Sequence, residues 1–162
     1  MKKENKKISI SELSEQDLLN NKEKISDWFL ASFITNFPNK KINKNFGIER
    51  FGELLSYIKL NKGYVIGAWD ETQKSLNGIL WYFFTNDNHL HINEVVISNE
   101  YRSKGIGKAL FQYVNNIAAD KNITALELNV MADNIIALNF YQNQNFEPKK
   151  IFMVKKINED IK

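Results

Sequence analysis

The chain has no cysteine. This excludes disulfides, thiolate metal sites and a covalent cysteine nucleophile. Proline occurs only twice and glycine seven times. No Pro/Gly/Ser-rich stretch therefore marks a linker, and the 162 residues read as a single domain, 1–162, behind a basic tail at 1–7. The two histidines, His89 and His91, lack an evident third partner for a metal, so no metal is expected. No apolar run approaches the roughly 20 residues that cross a bilayer. The opening "MKKENKK" has no apolar core of the kind a signal peptide carries. A cytoplasmic protein without a membrane partner is the expectation.

Charge of one sign is also scarce. The 22 basic and 19 acidic residues leave a net charge of +3. That suits an anionic ligand but falls short of the concentrated basic face of a nucleic-acid binder. The runs "KKENKK" and "NKKINKN" (39–45) read as solvated tail and loop, so nucleic acid is not expected as a partner.

Hydrophobic residues make up 43% of the chain and aromatics 12%, enough for a packed core. "ISIS" (8–11) alternates as a first strand. "KEKISDWFLASFITNF" carries Ile25, Trp28, Phe29 and Phe33 at helical spacing and ends before Pro38. "IERFGELLSYIKLNKG" places Ile48, Phe51, Leu54, Leu55 and Ile58 on one face of a second helix closed by Gly63. The period then changes. "YVIGAW" (64–69) and "LNGILWYFF" (76–84) read as a hairpin, and "LHINEVVI" (90–97) as a third strand. A helix with Ile106, Leu110, Val114 and Ile117 in one stripe follows, then a strand at 123–130. A short helix starts near Asn134, and "KKIFMVKKI" (149–157) reads as a closing strand. This order predicts an α/β (α+β) fold: a mixed sheet with helices on both faces, in which the two strands flanking the glycine-led helix are parallel neighbours.

The stretch "EYRSKGIGKAL" is the first candidate site. Gly105 and Gly107 open a helix whose first N–H groups have no intrahelical partner, and such a terminus attracts phosphate. Arg102, Lys104 and Lys108 add to the local positive field. The GKS/GKT ending of a nucleotide-binding P-loop is missing, and only two glycines of a dinucleotide-binding fingerprint are present. The alternative is a structural turn with solvated lysines. Further on, Asn134, Ala137 and Tyr141 share one helix face, an amide and a phenol separated by a small residue. Asn134 reads equally as the cap of its helix, and Tyr141 as a packing residue with a satisfied hydroxyl.

Taken together these two stretches resemble the GCN5-related N-acetyltransferase (GNAT) superfamily. "VVISNEYRSKGIGKAL" is similar to its acyl-CoA motif through Arg102, Gly105 and Gly107. "LNVMADNIIALNFYQNQNF" is similar to its second motif through Asn134, Ala137, Tyr141 and Phe146. Three positions depart from the family pattern. Asn99 stands for the usual proline and Asn145 for the usual glycine, while Asn129 replaces a glutamate found in the ribosomal-protein acetyltransferases. The resemblance implies a β-bulge in the central strand and acyl-CoA in a cleft between two splayed parallel strands. It also implies that the backbone of Val95, Val96 and Ile97 meets the pantetheine arm. The N–H groups of Ser103, Lys104, Gly105, Ile106, Gly107 and Lys108 would hold the pyrophosphate. Asn134 would contact the pantetheine, and Tyr141 would act as general acid at the CoA sulfur.

The implied reaction is acetyl transfer from acetyl-CoA to a primary amine of a small molecule or peptide. Glu94 is the leading candidate for the base and Glu127 the alternative, with His91 held as a candidate proton relay. Glu94 also reads as a strand residue facing solvent or pairing with a lysine. The oxyanion is assigned to the N–H of Val96 at the bulge. The acceptor is to be selected around residues 30–60, where Trp28, Phe29, Phe51, Tyr57, Glu49 and Glu53 cluster, the aromatics reading also as core. Two rival readings stay open: a non-catalytic acyl-CoA-binding sensor, and a toxin that acetylates aminoacyl-tRNA through a basic patch formed by Lys40, Lys41 and Lys44. A homodimer, common in the family, is a further expectation.

Overall fold

The computed structural model describes residues 7–155 and 157; most of the expected basic tail lies outside them. Eleven elements follow in order: β1 (Ile8–Glu12), α1 (Glu15–Asn20), α2 (Lys22–Asn36), α3 (Phe46–Lys59), β2 (Tyr64–Asp70), β3 (Ser75–Phe84), β4 (His89–Ile97), a 3-10 turn (Asn99–Tyr101), α4 (Ile106–Asp120), β5 (Ala125–Leu128) and α5 (Ile135–Asn143). The strands form one five-stranded sheet in the order β1-β2-β3-β4-β5. All pairs are antiparallel except β4 and β5, which run parallel around the α4 crossover. The mixed sheet with helices on both faces agrees with the sequence reading.

Each face has its own core. On one side Leu18 of α1, Ile25 and Phe29 of α2 and Phe51 and Leu54 of α3 pack on Val65, Ile79, Trp81 and Val96. On the other, Ile106, Leu110, Phe111 and Val114 of α4 pack on Ile66, Leu80, Tyr82, Leu90 and Ile92, with Phe140 and Tyr141 of α5 at the margin. Alternate residues of β2 and β3 thus feed opposite cores, the period-2 pattern of a sheet covered on both faces.

Four expectations change. α1 was not anticipated; Ser14 caps it in a box with Asp17, the hydroxyl accepting from the Asp17 N–H at 3.1 Å and the carboxylate from the Ser14 N–H at 2.9 Å. α3 begins at Phe46, and Ile48 is 56% exposed rather than core-facing. Gly47 takes the inward place instead. A methyl group there would lie 2.1 Å from the Ser26 carbonyl oxygen, so only glycine lets α3 approach α2 this closely. With Gly47 as origin, Phe51, Leu54, Leu55 and Ile58 fall at helical spacing, and Ile48 lies at the edge of that stripe, about 20° beyond Leu55. The strand expected at 123–130 forms only over Ala125–Leu128. Finally, 149–155 carry no strand, and Ile151, Phe152 and Met153 are exposed; Lys156 of the expected closing strand lies outside the described residues.

Candidate active site

β4 and β5 pair from His89–Ala125 to Ile92–Leu128 and then part. The next residue of β4, Asn93, is a bulge: Tyr82 of β3 faces Ile92 while Trp81 faces Glu94, leaving Asn93 unmatched. The consequence is a change of parity. Leu90 and Ile92 point to the α4 core, and simple alternation would send Glu94 there too. The extra residue turns Glu94 to the opposite face with Val96, and Val95 and Ile97 to the α4 side. The expected bulge is present, but at Asn93 rather than at Val96. Val95, Val96 and Ile97 pair with Leu80, Ile79 and Gly78 along one edge, and their other edge borders the splayed gap.

Glu94 is 20% exposed at its side chain. It is no solvent-facing strand residue. The Ser32 hydroxyl of α2 donates to one carboxylate oxygen at 3.1 Å, and the Arg50 guanidinium of α3 approaches the other at 3.5 Å. Burial raises the Glu94 pKa above the usual glutamate value, while Arg50 and the Ser32 hydrogen bond act the other way. A half-buried carboxyl whose pKa is raised is a stronger proton acceptor once ionised.

Tyr141 lies on α5, half-buried against Phe111, Phe140 and Phe146. Burial, with the negative charge of Glu94 as second cause, pushes its phenol up to about 12. The two side chains expected to act as base and acid therefore share one electrostatic environment, from opposite sides of the sheet's splayed end. Asn134 caps α5: its carbonyl oxygen accepts from the Ala137 N–H at 3.1 Å. Its amide donates to Asn36 at 2.7 Å, the Asn36 amide reaches the Ser32 hydroxyl at 3.4 Å, and Ser32 binds Glu94. A polar chain thus links the cap of α5 to the candidate base. Beside it a groove of about 300 Å³ is lined by Thr35, Pro38, Asp133, Asn134, Ile135 and Ile136.

The glycine turn sits after β4, at the head of α4. Ser103 and Gly105 adopt positive φ, 57° and 81°. The first helical bond runs from the Ala109 N–H to the Gly105 carbonyl, so the N–H groups of Ile106, Gly107 and Lys108 lie in the unpaired first turn. Gly107 has a packing reason as well: a methyl group there would stand 2.9 Å from Phe140 Cζ. The Arg102 Nε donates to the Ile97 carbonyl at 3.3 Å, tying the turn to the end of β4. Lys104 bonds the Glu100 carbonyl and lies over the Tyr101 ring; Lys108 is exposed. Asn145, in place of the usual glycine, has φ 65°, the left-handed conformation that asparagine tolerates best among side-chain-bearing residues.

The two histidines converge on Glu127. Their Nδ1 atoms lie 3.0 Å (His89) and 3.1 Å (His91) from its two carboxylate oxygens. A carboxylate can only accept, so both Nδ1 atoms carry hydrogen. These bonds hold Glu127 below the usual carboxylate range, which weakens it as a base relative to Glu94. Among the described residues no cluster of three His, Cys, Asp or Glu is arranged to hold a metal ion. Of the aromatics near the acceptor region, Phe29 and Phe51 are core, and Trp28 and Tyr57 pack against it. Ser32, Asn36 and Arg50 are the site residues that sequence reasoning passed over. Their contacts with Glu94 and Asn134 are tertiary, and nothing local marks them.

Comparison with known proteins agrees with this geometry. The family model described as Acetyltransferase (GNAT) family matches residues 22–146. The YxbD protein of Bacillus subtilis (strain 168) is 29% identical over 107 residues, 66% of this chain, and the match spans only 59% of YxbD. Among solved structures, a tetramutant of the BH1408 protein from Bacillus halodurans superposes with a TM-score of 0.76 at 16% identity, over 92% of this chain and 99% of that one. The PaiA N-acetyltransferase from Thermoplasma acidophilum, solved in complex with coenzyme A, gives 0.72 at 19% identity, over 90% and 93%. No helix among the described residues is long and apolar enough to cross a membrane. With the family match covering both motifs, the splayed strands and Glu94, this chain belongs to the GNAT acetyltransferase family.

Proposed function

We propose that the chain transfers an acetyl group from acetyl-CoA directly to a primary amine of a small molecule or peptide, within a ternary complex. The observation that carries this reading is the half-buried Glu94, held by Ser32 and Arg50 beside the splayed strands, with the Tyr141 phenol inside its field. In this reading the pyrophosphate of acetyl-CoA lies on the N–H groups from Ser103 to Lys108, and the pantetheine runs along Val95, Val96 and Ile97. The coenzyme A bound to the Thermoplasma relative supports the same donor here. Asn134 approaches the pantetheine with the amide hydrogen that Asn36 leaves free.

An ammonium is no nucleophile. Glu94 takes its proton, directly or through water, and the neutral nitrogen attacks the thioester carbonyl. A C–N bond forms, the oxyanion rests on a backbone N–H of β4 at the splayed edge, and collapse breaks the C–S bond. The departing thiolate takes the Tyr141 proton, and the second proton shed by the acylated nitrogen returns to Tyr141 through solvent, leaving a neutral amide and the free thiol. A phenol pushed up to about 12 stays protonated across the working range and so remains a donor. Thiol release from acetyl-CoA over a panel of primary amines and short peptides tests the reading; tight CoA binding with no release on any amine would leave the sensor reading in its place.

A further inference from the structure

Arg50 is held by more than charge. Its guanidinium carbon lies 4.6 Å above the centre of the Trp81 indole, and its Nη1 donates to Glu53 at 2.6 Å. Its Nη2 approaches Glu94 only to 3.5 Å. The stacking and the Glu53 pair fix the guanidinium plane, and the contact with Glu94 is the loosest of the three. Such a flat, always-charged fork keeps its place when one partner is taken away. The neighbouring element positions matter too: Trp81 is the cross-strand partner of Glu94, so the ring that carries Arg50 and the carboxylate it faces move together.

We infer that Arg50 is a positioning residue that occupies the ammonium place at Glu94 until the acceptor arrives, and that the site therefore selects a singly charged primary amine. This rests on Glu94 acting as the base. Every charged or titratable group around Glu94 fits. From α3 come Arg50 and Glu53, from α2 the neutral Ser32 hydroxyl, and from α5 the neutral Tyr141 phenol. On β4 itself, His91 is turned to Glu127. Two carboxylates against one guanidinium leave one negative charge. One ammonium neutralises it, and a second positive group close by would meet Arg50. When the acceptor binds, its N–H groups take the Glu94 oxygen now facing Arg50, while Glu53 and Trp81 keep the displaced guanidinium paired.

The test is the pH dependence of kcat/KM for the wild type, Arg50→Met and Arg50→Lys, with the amine that the wild type acetylates fastest. Removing the positive charge raises the pH at which Glu94 ionises. The acidic limb of Arg50→Met should move up by about one unit, so that the loss below the limb is roughly tenfold greater than the loss above it. Arg50→Lys should restore most of the shift. The same displacement should be seen without an acceptor, as a higher midpoint for the Glu94 carboxyl in carbon-13 NMR titration, its signal identified by its loss in Glu94→Gln. Coincident midpoints, or a loss equal at every pH, would overturn the inference. A limb that survives in Glu94→Gln would overturn the base role with it, whereas a limb lost in Glu94→Gln but unmoved in Arg50→Met would overturn the role of Arg50 alone.

Discussion

Asn134 donates its amide to Asn36 at 2.7 Å, across 98 residues of sequence. The bond joins the cap of α5 to the last turn of α2, beside the groove lined by Thr35, Pro38 and Ile135. Asn134 has a second duty, capping α5 through the Ala137 N–H, and Asn36 has none of that kind. Asn134→Ala should therefore destabilise the protein by about 1 kcal/mol more than Asn36→Ala does, the ordinary cost of a lost N-cap. Urea denaturation of both variants measures the difference. Equal losses would show that the cap contributes nothing.

The two glycines of the turn should fail for different reasons. Gly105→Ala meets no neighbour but forces a side chain to φ 81°, costing about 1–2 kcal/mol. Gly107→Ala fits its helical backbone but drives a methyl group against Phe140 at 2.9 Å, costing about 1–3 kcal/mol. Combining Gly107→Ala with Phe140→Leu should recover part of that loss, and the same second change should do nothing for Gly105→Ala. Thermal unfolding of the four variants gives the answer, and rescue of neither would remove Phe140 from the account.

Tyr141→Phe should lower kcat by about 10²-fold or more, the usual worth of a placed general acid, while CoA affinity changes little. Because the phenol is pushed up to about 12, the wild-type rate should show no tyrosine-linked fall between neutral pH and pH 10. A basic limb in that range that disappears in Tyr141→Phe would contradict the assignment of the shift to burial and Glu94.

Glu94 also carries a stability signature. Its folded-state pKa lies above the ordinary value, so the folded protein holds this proton more tightly than the unfolded chain does. The resulting stabilisation is complete below the unfolded pKa and is lost as pH rises through the folded one. Glu94→Gln, which mimics the protonated side chain, should therefore gain on the wild type as pH rises from about 4 to 7. Melting temperatures of the pair across that range test this; a gap that narrows with pH would reverse the sign.

Much of this architecture was legible in the chain. The stripes Ile25–Phe29 and Leu110–Val114 and the alternating runs of β2 and β3 gave helices and strands in their observed order. The glycine turn and the Asn134–Tyr141 face were legible because each is local. α1 escaped because only two apolar residues, Leu18 and Leu19, mark it, although Ser14 and Asp17 at capping-box spacing were there to read. Ile48 was misplaced because an apolar residue at a helix start outweighs a glycine in any pattern count, whereas contact with α2 demanded Gly47. The face of Glu94 was hidden most deeply. Strict alternation from Leu90 and Ile92 puts it under α4, and only the extra residue Asn93 reverses that. Arg50 and Ser32 find Glu94 only after this reversal, so no spacing rule could have paired them.

The most direct measurement is amine-dependent thiol release from acetyl-CoA by the wild type, Glu94→Gln and Tyr141→Phe, with CoA binding measured on the same samples. The account predicts release that depends on a primary amine in the wild type, and its loss in both variants with CoA still bound. Wild-type release that both variants retain in full would contradict it.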